Sequence, residues 1–246
     1  MTNEPATATT LAPSQVFGRS QGGSQILSGL WELFKDTVKR PFYAVYCRRL
    51  RAKAHHWKTP RHLGVVMDGN RRFAREAGFS SALYGHAKGA EKLQQVLRWC
   101  RQYEVPVVTV WCFSIENFQR SAAEVEALLG LFEDKAREMA DGPQVHEHRI
   151  RVRFIGRLSM LPESLRQEIA RVEEATKDYG DLQLNIAMAY GGRQEIADAA
   201  RQYLVERAAA GDSLDEICEG LDVDAITPRL YTSGQPEPGL ILRTSG

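Results

Sequence analysis

Asp68 stands at the end of an apolar run, in VVMDGNRRFAR (Val65–Arg75), with Gly69 and Asn70 behind it and then Arg71 and Arg72. An acid followed by two cations at the end of a buried strand suits a doubly or triply negative ligand that carries a metal. The plain alternative is a helix-capping aspartate with surface arginines. Gly69 lets backbone approach a ligand closely. Asn70, Arg71 and Arg72 open a helix, whose free N–H groups and dipole favour an anion. A lone carboxylate in that setting can hold Mg²⁺, which commonly takes one or two protein carboxylates plus phosphate oxygens.

Three more segments offer side chains of the same kind. FSIENFQR (Phe113–Arg120) brings Ser114, Glu116, Asn117 and Arg120, AYGGR (Ala189–Arg193) brings Arg193, and LILRTSG (Leu240–Gly246) brings Arg243. The planar fork of arginine matches phosphate oxygens. Several such arginines with a single aspartate among them point to a polyphosphate ligand. Read alone, the second segment is also a helix entry, with Ser121 as cap and Glu124 at the capping-box position. The usual nucleotide cradles, G-x-x-x-x-G-K-[ST] and G-x-G-x-x-G, are missing, which leaves a nucleotide-dependent phosphohydrolase without its phosphate loop. His86, in GHAKG (Gly85–Gly89), opens a helix near the same place or is simply a helix-entry histidine. No His/Cys cluster has zinc spacing, and no Ser-His-Asp set can be drawn.

The elements that must position these residues alternate along the chain. Short apolar runs at Leu63–Met67, Val107–Phe113, Arg151–Ile155, Leu182–Ala189 and Leu240–Leu242 read as strands, with helical stretches near 85–103, 122–140, 162–178 and 193–209. Such alternation predicts an α/β fold: a mostly parallel central sheet flanked by helices, in a single domain over 61–246. Ligands of such sheets sit outside the carboxyl ends of the strands, where every segment named above falls. Residues 1–26 read as a disordered tail and 27–60 as basic amphipathic helices forming an N-terminal extension, split by Pro41.

With 43% hydrophobic and 26% charged residues, the 246-residue chain has the composition of a soluble globular protein. The formal net charge of +1 hides an asymmetry. From Trp31 to Pro60 eight Lys/Arg face Glu32 and Asp36, a local +6; residues 1–30 balance, so the remainder carries 1 − 6 = −5. That excludes a general nucleic-acid binder, which wants a basic face on the domain itself. It allows a membrane-surface contact through residues 27–57, or a helix packed on the domain or on a second subunit. Four scattered cysteines without a CxxC read as reduced and intracellular. No signal peptide and no run of membrane-spanning length is visible; the expected location is cytoplasmic, peripheral at the membrane.

Taken together, HLGVVMDGNRRFAR (His62–Arg75), GHAKG, FSIENFQR, AYGGR and LILRTSG resemble, in order and approximate spacing, the cis-prenyltransferases, the isoprenyl transferase or undecaprenyl diphosphate synthase family. The resemblance runs from about Arg61 to the end. It implies Mg²⁺-dependent condensation of isopentenyl diphosphate with an allylic diphosphate, adding Z isoprene units, in a homodimer. It makes Asp68 and Asn117 the catalytic pair, with Asp68 engaging Mg²⁺. An amide is a poor base, so Asn117 reads physically as an orienting residue. Gly69, Asn70, Arg71 and Arg72 would hold the allylic diphosphate with His86 assisting, and Phe73 would pack on the prenyl tail. Ser114, Ile115, Glu116, Phe118 and Arg120 would line the substrate site, Arg193 would join it, and Arg243 would bind isopentenyl diphosphate. The product tail then needs an apolar tunnel, for which Leu93, Val96, Leu97, Leu128, Leu131 and Phe132 are candidate walls or plain core.

Two departures stand out. SSALY (Ser80–Tyr84) lacks the arginine that often precedes the Gly-His pair. The sequence given also stops at Gly246, before the family's Arg-x-Ser segment and Mg²⁺-binding glutamate. The expectation is a transferase whose chain is incomplete or completed by a partner; the alternative is a non-catalytic scaffold subunit of a prenyltransferase complex.

Overall fold

The computed structural model describes residues 41–50, 52–54, 56–79 and 81–245. The expectations for residues 1–26, and for 27–40 within the extension, lie outside the described residues. The chain forms two compact units, Met1–Trp57 and Lys58–Gly246. In the first, helix α1 covers residues 41–50, and the rings of Tyr43 and Tyr46 on it lie 6.3 Å apart.

The second unit is built on five parallel strands: β1 (His62–Val66), β2 (Val107–Ser114), β3 (Ile150–Ile155), β4 (Leu182–Tyr190) and β5 (Leu240–Arg243). Their order across the sheet is β3-β4-β2-β1-β5. The main helices between them are α2 (Asn70–Glu76), α3 (Ala82–Gln102), α4 (Ala122–Asp141), α6 (Glu163–Thr176) and α7 (Gly192–Ala210); short helices α5 (Pro143–Glu147), α8 (Leu214–Glu219) and α9 (Val223–Ile226) fill the connections. The apolar runs of β1, β2 and β4 are what strands covered on both faces demand, while β5 is exposed. Serines cap α3 and α4: Ser81 Oγ accepts the Leu83 N–H at 3.2 Å and Ser121 Oγ the Glu124 N–H at 3.4 Å.

Alternation along the strands divides the core by face. Leu63, Val65, Val108, Val110, Leu184 and Ile186 point to the side of α3 and α4, where the large apolar cluster lies. The opposite face carries a buried polar chain. Asn185 Nδ2 donates to Thr109 Oγ1 at 2.9 Å and to Gln235 Oε1 at 2.6 Å. Thr109 Oγ1 lies 2.8 Å from His62 Nε2, and His62 Nδ1 lies 2.6 Å from the Pro236 carbonyl oxygen. A carbonyl only accepts, so the ring proton sits on Nδ1 and the threonine hydroxyl donates to Nε2. This chain ties the segment before β5 across β4, β2 and β1. Register is regular except at the end of β2, where it shifts around Phe113 and Ser114 against β4. A bulge there re-aims the side chains that leave the strand.

Candidate active site

Every motif residue singled out above sits at, or just beyond, the carboxyl edge of the sheet or on the first turns of a following helix. Two arginine–acid clusters form there. In the first, Asp68 Oδ2 accepts from Arg243 Nε at 2.9 Å and Nη2 at 2.6 Å, while Oδ1 accepts the Gly69 N–H at 2.6 Å. The Arg243 hydrogen bonds, then the Gly69 N–H, hold the Asp68 carboxyl below the usual aspartate range. Thr244 closes the pair of loops: its Oγ1 accepts the Asp68 N–H at 2.9 Å. Gly69 adopts φ +86°, and a Cβ there would fall 2.5 Å from Ser245 Cβ. Only glycine lets the β1 and β5 loops meet this closely.

In the second cluster Glu124, on α4, stands between two arginines. Its Oε1 lies 3.3 Å from Arg71 Nε and 3.0 Å from Arg120 Nη1. Glu124 was legible in the sequence only as a capping position. Its N–H does meet Ser121, but its carboxylate turns to Arg71 of α2 and Arg120 of the turn after β2. His86 is close by. Its Nε2 is buried without a hydrogen-bond partner. Desolvation, then the charge of Arg120, lowers its pKa, with Glu124 opposing and Arg71 adding, so the ring is neutral at pH 7 and free to accept a proton or hydrogen bond.

The β2 segment turns through a 3₁₀ helix, Ile115–Gln119. Asn117 Oδ1 accepts the Ser114 N–H at 3.0 Å, so its carbonyl end is spent on the turn and its NH₂ remains to donate. The Glu116 carboxyl is lowered by its own backbone N–H, by Ser114 and by the charge of Arg193, which links the β2 and β4 loops electrostatically. Ile115 supplies the packing side of that link, with its Cδ1 3.4 Å from where a Gly191 Cβ would be. Phe118 packs edge-on against Phe113 at 4.9 Å, toward the core rather than the cleft. Arg72 adds positive charge near Asp68. Phe73 is half-exposed and does not line the cavity described next.

That cavity, about 380 Å³, begins at Asn70 and His86 and runs between α3, α4 and the sheet. Leu93, Leu97, Leu131 and Phe132 line it, whereas Val96 and Leu128 pack into the core instead. Cys112, Leu184 and Ile186 form its floor. Burial pushes the Cys112 thiol up to about 12. A cationic, acid-bearing edge that opens into an apolar channel suits one kind of ligand, an amphiphile with a polyanionic head and a hydrocarbon tail.

Comparison with known proteins gives the same class. The model of the putative undecaprenyl diphosphate synthase family matches residues 66–246. An isoprenyl transferase of Thermus thermophilus is 44% identical over 209 residues, 85% of this chain and 79% of that protein. The tritrans,polycis-undecaprenyl-diphosphate synthase (geranylgeranyl-diphosphate specific) of Thermococcus kodakarensis is 42% identical over 207 residues, 84% of this chain and 76% of its own length. Among solved structures, lavandulyl diphosphate synthase from Lavandula x intermedia, in complex with dimethylallyl diphosphate, superposes with TM-score 0.68 at 28% identity over 75% of this chain and 77% of that one. A probable undecaprenyl diphosphate synthase from Campylobacter jejuni gives 0.58 at 26% over 76% of each chain. The chain belongs to the undecaprenyl diphosphate synthase family, and its enzymatic class is that of the prenyl transferases.

Proposed function

We infer that this protein elongates an allylic diphosphate with isopentenyl diphosphate, forming Z double bonds with the help of Mg²⁺. The observation that carries the reading is the continuity of the two halves of the site: Asn70 opens α2 beside Asp68, and with His86 it also forms the mouth of the apolar channel. The head of the substrate would rest on Arg71, Arg72 and Arg120, and its tail would enter the channel. Arg193 and Arg243 are the cations placed for isopentenyl diphosphate.

Asp68 fits the metal as a single ionised carboxylate with an exposed edge; among the described residues no three His/Cys/Asp/Glu side chains converge to hold an ion unaided. Diphosphate oxygens and water would supply further ligands, a mode Mg²⁺ commonly adopts. When bound, the ion neutralises charge on the departing diphosphate. The arginines do the same work from fixed positions. As the allylic C–O bond breaks, its electron pair leaves with diphosphate. The double bond of the isopentenyl unit then attacks the allylic carbon, and a proton leaves its C2. Asn117 is too weak a base to take that proton, and its geometry suits it to orient the acceptor. The released diphosphate is the stronger base at hand.

Incubation with labelled isopentenyl diphosphate, farnesyl diphosphate and Mg²⁺ tests the reading. Incorporation should be lost in Asp68→Ala; incorporation that survives the substitution would remove Asp68 from the mechanism, and none in either protein would favour a scaffold role. A homodimer and a membrane-surface contact through residues 27–57 belong to the same reading. The basic, aromatic stretch from Phe42 to Trp57 supports the second. Light scattering and sedimentation with anionic vesicles check the two.

A further inference from the structure

The apolar channel has a second end. Helix α3 follows it throughout, with His86 near the front, Leu93 and Leu97 midway, and Arg98 and Arg101 at the rear. From His86 to Arg101 is 101 − 86 = 15 rises, or about 22 Å of helix. At the rear, Arg98 and Arg101 share the lining with Lys135 of α4 and His148 beyond α5. The same two arginines border an adjoining hollow with Glu104 and Asp181. Lys135 is engaged by Glu138 and Asp181 by Arg149, and among the described residues neither Arg98 nor Arg101 is in an ion pair. Three residues apart on one helix, they present their guanidinium groups on the same side.

We propose that the rear of the channel is a second binding site, for a long-chain fatty acid that enters tail first and rests its carboxylate on Arg98 and Arg101. The chemistry at the two ends differs. The front has five arginines and an aspartate suited to a metal, the demands of a diphosphate. The rear has two guanidinium groups outside any ion pair among the described residues and, on the channel side, no acid but Glu138, which Lys135 engages; Glu104 faces the adjoining hollow. That suits a singly charged head. The uncharged far end of a prenyl chain would leave those guanidinium groups unused. The alkyl tail lies on the walls that Leu97, Leu131 and Phe132 provide. A fatty acid held there occupies space that a prenyl chain needs. It therefore competes with the prenyl tail for the channel.

The test uses cis-parinaric acid, a fluorescent polyene fatty acid, with the whole protein and neither Mg²⁺ nor diphosphate, so its outcome does not depend on prenyl transfer. Saturable one-to-one binding is expected. Arg98→Ala/Arg101→Ala should weaken it about tenfold, and Arg98→Lys/Arg101→Lys should restore most of the loss. Arg71→Ala should leave it unchanged, and the methyl ester of the probe should bind the parent and the double alanine variant alike. The proposal is overturned by absence of saturable binding, or by an unchanged affinity in the double alanine variant. It is overturned equally if Arg71→Ala causes the loss, which would put the head at the front, or if the ester binds the parent as tightly as the acid.

Discussion

Gly85, in the first turn of α3, faces the first residue of α2. A Cβ built there lies 2.0 Å from the Asn70 carbonyl oxygen and 2.8 Å from its carbon. Ordinary contact begins near 3.4 Å, so Gly85→Ala forces the two helices apart by 3.4 − 2.0 = 1.4 Å. The obstacle is backbone and cannot rotate away. Overpacking costs about 1–3 kcal/mol where side chains can adjust, and this site belongs at the top of that range. Alanine returns about 1 kcal/mol of helix propensity, leaving a net loss of about 2 kcal/mol. For a domain of this size that lowers the Tm by roughly 4–8 °C. Gly130, midway along α4, has nothing within 4 Å of its own Cβ position. Gly130→Ala therefore collects only the propensity gain, about 1 kcal/mol. Calorimetry of the two variants gives shifts of opposite sign. Because Asn70 moves with α2, Gly85→Ala should also raise KM for the allylic diphosphate, with little change in KM for isopentenyl diphosphate. Equal stabilisation by both substitutions would refute the close approach of α2 and α3, and with it the placement of Asn70 at the channel mouth.

Other outcomes follow from the same geometry. The pKa of His86 is lowered in the fold, so the unfolded chain binds the proton more readily and stability should fall as the pH drops below about 6.5. His86→Leu should flatten that part of the profile in urea titrations, and in Glu124→Ala the His86 resonance should titrate at still lower pH, because the one charge that raises it is gone. Cys112, at about 12, should resist iodoacetamide at pH 8, and Cys112→Phe should narrow the channel and shorten the products seen by chromatography. Asn185→Leu removes the donor to both Thr109 and Gln235 and should cost about 1–3 kcal/mol in denaturant unfolding, with the m-value unchanged.

The sheet was the most legible part of the sequence. Each strand expected from its apolar run lies within about two residues of the observed one; for the inner strands, burial on both faces leaves little choice of composition, whereas β5 keeps an apolar run although it is exposed. The position of the candidate arginines and the aspartate at the strand ends was legible from their placement after apolar runs, whereas Phe73, Ile115 and Phe118 were named only through the family resemblance. Glu124 was hidden because its local signal, a capping position, was true and complete in itself; its bridge between Arg71 and Arg120 depends on α2, α4 and the turn after β2 meeting. The polar chain from His62 to Gln235 was hidden for the same reason, since nothing local marks Thr109 or Asn185 as partners. Periodicity could place Val96 and Leu128 on α3 and α4 but could not tell channel wall from core, as both ask for the same side chains. The short helices α8 and α9 carry too few turns for a periodic signal.

The pairing of β1 with β5 also sets an order of events. Asp68 and Arg243 are separated by 175 positions in the chain, and β5 lies on the outer side of β1. Contacts of such separation close late, after local helices and neighbouring strands have formed. On a ribosome adding roughly 5–20 residues per second, Asp68 waits roughly 9–35 s for its arginine to be made. Through that interval β1 can pair with β2 while its other edge remains open, a state with much of its core and none of its first cluster. Such an intermediate exposes an unpaired parallel edge and depends on chaperones or on rapid completion to avoid association. The Asp68–Arg243 pair is thus a late contact of this fold, and a ligand that binds only the closed pair would draw its formation forward.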